Sequence, residues 1–137
     1  MTEFTAQLLG RTEKALNAIL ERELAGIGID EPQWVALTLT VTGGPAAPDA
    51  AARRVAEALK VPVAEGRRRL DELVAAGLVR LDETVAATDE GVARWHRVRA
   101  AIGPIQQRLW GDLPAADLDA AGRVLDTVLG RANTLLV

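Results

Sequence analysis

Apolar residues recur every three or four positions along most of this 137-residue chain, and this spacing restricts the fold to one built mainly from amphipathic α-helices. The clearest run lies near the C-terminus, where apolar residues follow one another at intervals of 3, 4, 3, 4 and 3. Such a seam is typical of a helix that packs against another helix as in a coiled coil. A similar stripe in residues 2–25 predicts a first helix. The sequence therefore predicts a mostly α protein.

The two terminal helices carry more apolar surface than one chain easily covers. We therefore predict a homodimer whose interface residues are Leu8, Leu118, Ala121, Leu125, Val128, Ala132 and Leu135. The last helix is expected to begin near Pro114. The helix before it is expected to begin at Thr88-Asp89-Glu90, and Pro104 is expected to kink it.

Capping residues mark further helix boundaries in the first half of the chain. Residues 26–29 break the first stripe, and Asp30 followed by Pro32 and Gln33 has the form of a capping box. This pattern predicts a second helix that continues to about residue 41. After a loop at residues 43–48, Asp49 is expected to cap a short third helix that ends near Leu59.

The segment 49–88 has the order of elements that is typical of a helix-turn-helix followed by a wing. The third helix leads into a tight turn at residues 60–62, and a fourth helix is expected over residues 63–76. Gly77 is the expected stop for that helix. Two short strands are then predicted at residues 78–82 and 84–87.

Composition argues against several classes of function. The chain has no cysteine, serine or tyrosine and a single histidine, His96, so Ser–His, Cys–His and tyrosine-based catalysis lack their residues. We therefore predict no enzyme activity, no catalytic residue, no metal site and no cofactor. There is neither a run of about 20 apolar residues nor the pattern of a signal peptide, which favours the cytoplasm.

Charge is unevenly distributed along the chain. Residues 1–48 carry a net −3, residues 49–80 a net +2 and residues 81–137 a net −2. A basic middle section indicates an anionic partner, although a solvated helix face gives the same pattern.

Helical phase identifies the side chains that are expected to meet this partner. If Leu70, Leu73 and Val74 face the core together with Gly66, then Arg68 points away from it. An arginine fork can contact phosphate or the N7 and O6 atoms of guanine. We predict that double-stranded DNA is the partner, that Arg53, Arg54 and Arg80 position its backbone, and that its contacts include those three residues and Ala64, Glu65, Arg67 and Arg68.

Four segments in this order and spacing resemble the MarR family of winged helix-turn-helix transcription regulators. They are Asp30 to Leu37, Leu73 to Arg80, Ala87 to Gly91 and Gly111 to Leu118. The resemblance implies one domain over residues 1–137, with a winged unit at 30–88 and dimerisation helices at 1–28 and 89–137. It also implies a homodimeric regulator that is tuned by a small organic ligand, in a pocket lined by Trp34, Leu37 and Trp95.

The sequence departs from the family pattern at three places. Only residues 81–87 separate Arg80 from Thr88, so the wing is short, and its tip is Asp82-Glu83 where the family carries a basic finger. Gly66 replaces an apolar residue, with an expected cost of up to about 1 kcal/mol, and Arg69 replaces a leucine. These departures leave two alternatives open: a winged-helix module that binds proteins, and a small-molecule binding protein without strong DNA binding.

Overall fold

The computed structural model describes residues 2–137, which form two compact units: the residues up to Ile102, and Gly103–Val137. Met1, the first residue of the predicted dimerisation segment 1–28, lies outside the described residues. The predicted functional division into a winged unit and dimerisation helices stays a prediction.

The first unit contains five α-helices, a 3₁₀ turn and one β-hairpin among the described residues. In chain order these are α1 (Ala6–Leu24), the 3₁₀ turn (Ala25–Ile27), α2 (Glu31–Gly43), α3 (Pro48–Leu59), α4 (Val63–Ala75), β1 (Val79–Leu81), β2 (Val85–Ala87) and the larger part of α5 (Asp89–Trp110). The mostly helical winged fold predicted from the sequence is confirmed.

The capping box at the start of α2 is confirmed in detail. The backbone N–H of Gln33 donates to Asp30 Oδ1, and the backbone N–H of Asp30 donates to Gln33 Oε1, each over 3.0 Å. Two amide groups that the helix itself leaves unpaired are thereby satisfied. The position and direction of α2 are fixed at this end.

The predicted cap of α3 was wrong by two residues. The N-cap is Ala47, Pro48 is the first helical residue, and Asp49 lies in the first turn. Proline suits the first helical position because its fixed φ is helical and its missing N–H would have no partner there. Asp49 still places a negative charge near the positive end of the helix dipole.

The hairpin is shorter than predicted. β1 and β2 pair antiparallel, with Arg80 opposite Ala86 and Leu81 opposite Val85. The tip is closed by Asp82, whose backbone N–H donates to the carbonyl of Thr84 and whose side chain accepts from the backbone N–H of Thr84, each over 3.1 Å. These turn contacts take Asp82 and Thr84 out of the strands.

The core of the first unit lies where α2, α3 and α4 meet the hairpin. Its fully buried large side chains are Leu24, Leu37, Val55, Leu70, Leu73, Leu78 and Val85. Val74 was predicted to belong to this face, but its side chain is 37% exposed. Leu70, Leu73 and Gly66 centre the buried arc about 70° away from Val74 at 100° per residue, so Val74 lies at its rim.

Helix α5 continues through Pro104, and the division between the two units falls directly before it, at Gly103. The second unit comprises the end of α5 and α6 (Ala115–Leu135), which begins near Pro114 as predicted, with Pro114 as its N-cap. Most residues of α6 are exposed, and none is buried, within the described chain. Within residues 2–137, each helix falls short of the length and apolar character that crossing a bilayer requires.

Candidate nucleic-acid interface

The turn between α3 and α4 depends on a left-handed backbone at Lys60. Its φ of 58° and ψ of 48° make it the one described non-glycine residue with positive φ. The backbone N–H of Val61 donates to the carbonyl of Ala56 over 3.0 Å, and Pro62 then caps α4 in an extended conformation. The chain therefore turns within three residues, and α4 packs closely against α3.

Gly66 lies at the closest approach of these two helices. A Cβ atom at this position would overlap the carbonyl oxygen of Ala52 and come within 2.9 Å of the backbone nitrogen of Ala56. Gly66 is buried in this contact. Glycine lowers the helix propensity of α4, but a residue with a Cβ atom would not allow the two helices to approach so closely. Ala52 and Ala56, which face Gly66 from α3, are small enough to permit this close contact.

Arg68 projects into solvent from the side of α4 opposite Leu70 and Leu73. It is 58% exposed, and its Nη2 donates to Glu65 Oε2 over 2.8 Å. Ala64 is exposed and Glu65 half-buried on the same N-terminal part of the helix. The structure thus brings together three of the predicted contact residues on one face.

The other two arginines of α4 lie on its flanks and are also paired. Arg67 Nε donates to Asp71 Oδ1 over 3.3 Å. Arg69 Nη1 donates to Glu72 Oε1 over 3.0 Å, and its side chain is only 21% exposed. Because α4 carries as many acidic as basic residues, its outer face is more nearly neutral than the local charge count suggested.

A hydrogen bond that sequence reasoning missed ties α4 to the start of α2. Gln33 Nε2 donates to Glu72 Oε1 over 3.2 Å, across 39 positions of the sequence. Desolvation raises the pKa of Glu72, but the hydrogen bonds from Arg69 and Gln33 and the nearby arginine charges outweigh it, so the pKa lies below its usual value. The hydrogen bond to Glu72 also raises the pKa of Arg69. Both groups are therefore charged at neutral pH.

The three predicted backbone-positioning arginines have different surroundings. Arg53 and Arg54 are both exposed on α3, and the guanidinium of Arg54 lies over Gly43 at the end of α2. Arg80 projects from β1 and lies 3.5 Å from the carboxylate of Asp82. The wing thus pairs its own arginine with its acidic tip.

The wing is held against the helices by a contact that the sequence did not indicate. Ala46 and Val85 exchange two backbone hydrogen bonds, of 3.1 and 2.7 Å, on the side of β2 that faces away from β1. The loop before α3 and the hairpin are therefore joined as a small three-stranded arrangement. This contact fixes where the short wing leaves the helical body.

The residues of the predicted ligand pocket are packed together. Leu37 is fully buried and Trp34 is 8% exposed, while Trp95 is half-buried. The two indoles stack with their centroids 6.2 Å apart, Trp95 Nε1 donates to Thr38 Oγ1 over 3.0 Å, and Arg99 lies 5.6 Å above the Trp95 ring. These contacts account for the tryptophans as packing residues, and a ligand pocket stays a prediction.

The residues predicted to form a dimer interface all have exposed side chains. In α1 this is Leu8, and in α6 the exposed members are Leu118, Ala121, Leu125, Val128, Ala132 and Leu135. The exposed apolar surface of α6 is broader than the predicted seam, because Val124 and Leu129 also lie in solvent.

No protein-family model matches the sequence, and no curated protein matches it. Solved structures, however, have a similar fold. A mutant MarR from E. coli in complex with operator DNA is 22% identical, with a TM-score of 0.74 over 90% of this chain and 91% of that chain. CouR from Rhodococcus jostii, bound to p-coumaroyl-CoA, is 21% identical, with a TM-score of 0.75 over 88% of each chain.

A MarR family protein from Mycobacterium tuberculosis in complex with DNA is 20% identical, with a TM-score of 0.72 over 93% of this chain and 98% of that chain. Identities of 20 to 22% establish architecture alone. The helix-turn-helix, the short hairpin and the terminal helices together identify the winged-helix fold of the MarR family of transcriptional regulators.

Proposed function

We propose that this protein is a transcription regulator that binds double-stranded DNA as a homodimer. The observation that carries the proposal is the position of Arg68, which projects into solvent from the second helix of a helix-turn-helix. In this motif the second helix lies in the major groove, and its N-terminal residues meet the base edges. Similar folds include MarR and a MarR family protein that were solved with DNA.

In the proposed complex, α4 enters the major groove. Arg68 contacts a guanine through its planar fork, and Arg67, on the flank of the same face, contacts phosphate. Arg53, Arg54 and Arg80 hold the DNA backbone in register. The acidic tip of the wing repels phosphate, so minor-groove contacts contribute little to binding.

The proposed dimer forms through the terminal helices of two chains. A helix such as α6, with a continuous apolar seam in solvent, is stabilised when a partner covers it. Dimerisation also places two copies of α4 on successive turns of the DNA. An effector that prefers one spacing of these helices shifts DNA affinity through that preference.

We propose a small organic molecule as this effector, bound beside Trp34, Leu37 and Trp95. Support comes from the structure of CouR with p-coumaroyl-CoA. Because Leu37 is fully buried, the ligand enters only if the packing around the stacked indoles opens. Binding is therefore expected to quench or shift tryptophan fluorescence.

A salt titration tests DNA binding. The parent protein is titrated with a random duplex, and with a duplex selected by it from a random pool, at several salt concentrations. We expect affinity for both to fall steeply with salt, because phosphate contacts release counterions, and the selected duplex to bind more tightly throughout. No binding of either duplex at low salt contradicts the proposal.

A protein-interaction module is the second candidate. It is favoured by one observation: Arg67, Arg68 and Arg69 are all paired with carboxylates of their own helix. If neither duplex binds at any salt concentration in the same titration, the result favours this candidate over a DNA-binding regulator.

A further inference from the structure

A chain of polar contacts runs from the start of α2 to the exposed face of α4. Gln33 and Arg69 both donate to Glu72 Oε1, over 3.2 and 3.0 Å. Arg69 Nη2 lies 3.7 Å from Glu65 Oε2. The same oxygen accepts a hydrogen bond of 2.8 Å from Arg68 Nη2. Arg68 is therefore the last member of a chain that begins at the capping box of α2.

This arrangement holds Glu65 from two sides. An isolated, exposed ion pair on a helix contributes about 0.2–1 kcal/mol and restricts its side chains weakly. Here, however, a single oxygen of Glu65 lies near two guanidinium groups. One of them, Arg69, is 21% exposed and is anchored through Glu72. Glu65 is therefore more restricted than an exposed pair with Arg68 alone would be.

The contact with Glu65 leaves most of the Arg68 donors free. A guanidinium has five N–H donors in a fixed plane, and one of them is used here. A bidentate contact with guanine needs two, in a defined orientation. The carboxylate thus restrains the plane of the group without using the donors that a base edge requires.

We infer that Glu65 is a positioning residue that orients the Arg68 fork for a guanine edge, and that Arg69 supports Glu65 and makes no DNA contact of its own. This inference rests on the proposed function, since it assigns how that interface achieves base specificity. It also gives a role to Arg69, which stands where the MarR family often has a leucine.

The positioning role of Glu65 predicts opposite changes in affinity and in base discrimination, which a loss of folding does not produce. Changing Glu65→Gln removes a negative charge from the DNA-facing surface, so binding to every duplex should strengthen. The same change replaces the charge-assisted hydrogen bond to Arg68 by a weaker neutral one, so the Arg68 fork is held less firmly and discrimination between bases should weaken. Damage to the fold lowers both quantities together.

The experiment compares the parent, Glu65→Gln and a matched control, Asp71→Asn, which removes the same charge from the same helix but pairs with Arg67. The duplexes are the selected operator and one in which the G·C pair read by Arg68 is replaced by A·T. That pair is identified as the one whose replacement lowers the affinity of the parent but does not change the affinity of the Arg68→Ala variant. We expect about a tenfold loss of discrimination in Glu65→Gln and unchanged discrimination in Asp71→Asn. Unchanged discrimination in Glu65→Gln, or an equal loss in both variants, overturns the positioning role.

A second measurement needs no DNA. Nitrogen-15 NMR reports rotation of the Arg68 guanidinium in the free protein, which should be slow in the parent and fast in Glu65→Gln. Fast rotation in the parent contradicts the inference even if DNA binds. If the parent binds no duplex at all, the proposed function fails and this role fails with it, whereas binding with unchanged discrimination removes only the role of Glu65.

Discussion

The Cα atom of Gly66 faces the carbonyl oxygen of Ala52 so closely that a methyl group at Gly66 would overlap that oxygen. The obstructing atoms belong to the backbone of α3 and cannot swing away as a flexible side chain does. The geometry of the helix-turn-helix, and with it the position of the Arg68 face, therefore depends on a residue without a side chain.

Changing Gly66→Ala should destabilise the protein by about 1–3 kcal/mol, because overpacking outweighs the better helix propensity of alanine. Gly10→Ala is the matched control, since a Cβ on Gly10 in α1 has no neighbour within 4 Å among the described residues. The control should be neutral or more stable by up to about 1 kcal/mol. Urea denaturation measures both, and equal stability of the two variants would contradict the close contact.

Glu31 predicts a dependence of stability on pH. Burial, followed by the negative charges of Glu13, Glu21 and Asp30, raises the pKa of Glu31 above its usual 4.5. The folded state therefore binds a proton more tightly than the unfolded state, and stability falls as the pH rises from about 4.5 through the raised pKa.

Glu31→Gln should consequently stabilise the protein by about 0.5 kcal/mol at pH 7 and by less near pH 4.5. The measurement is urea denaturation of parent and variant at both pH values. Glu3→Gln, which removes one charge from the exposed N-terminal segment, serves as control. A variant that is less stable than the parent at pH 7 would show that the position of Glu31 near the helix N-terminus outweighs the neighbouring carboxylates.

The short wing predicts an unusual response to charge removal. Asp82 and Glu83 form its exposed acidic tip, and Asp82 pairs with Arg80. The double change Asp82→Asn and Glu83→Gln keeps an acceptor for the turn and should leave DNA affinity unchanged or raise it, because repulsion is relieved and Arg80 is freed. A large loss of affinity with normal melting would mean that the tip makes a favourable DNA contact.

The apolar seam of α6 predicts the oligomeric state. Leu125→Asp should convert a dimer to a monomer at micromolar concentration, since an unpaired charge would be buried in the interface. Thr127→Asp, on the same helix but outside the seam, is the control and should remain dimeric. Light scattering after size-exclusion chromatography gives the mass directly. A monomeric parent, or a dimeric Leu125→Asp, would contradict the predicted interface.

Local patterns predicted the elements of this fold, and tertiary contacts explain where they failed. The capping box of Asp30 and Gln33 depends on residues three apart, so it was visible in the sequence. Asp49 was mistaken for a cap because the preceding Pro48 fits the first helical position even better. Val74 lies at the rim of a buried arc whose centre only the packing of α4 against its neighbours defines.

The candidate site was predictable in outline only. Helical phase identified Arg68 as the outward side chain of α4, and it is exposed. The same reasoning could not find the contact between Gln33 and Glu72, because 39 positions separate them. Sequence reasoning also treated Gly66 only as a residue of low helix propensity. The backbone atoms of α3 that face it are brought close only by the packing of the two helices.

The central claim is that the exposed arginines of α4 bind DNA, and one comparison tests it most directly. The variant Arg67→Ala, Arg68→Ala is compared with Arg11→Ala, Arg97→Ala, which removes equal charge from exposed positions on α1 and α5. Both should melt like the parent, because none of these side chains fills the core. We expect the α4 variant to lose about 2–4 kcal/mol of affinity for the selected operator at fixed salt, and the control to lose much less. Equal affinity in the two variants, with both folded, would contradict the account.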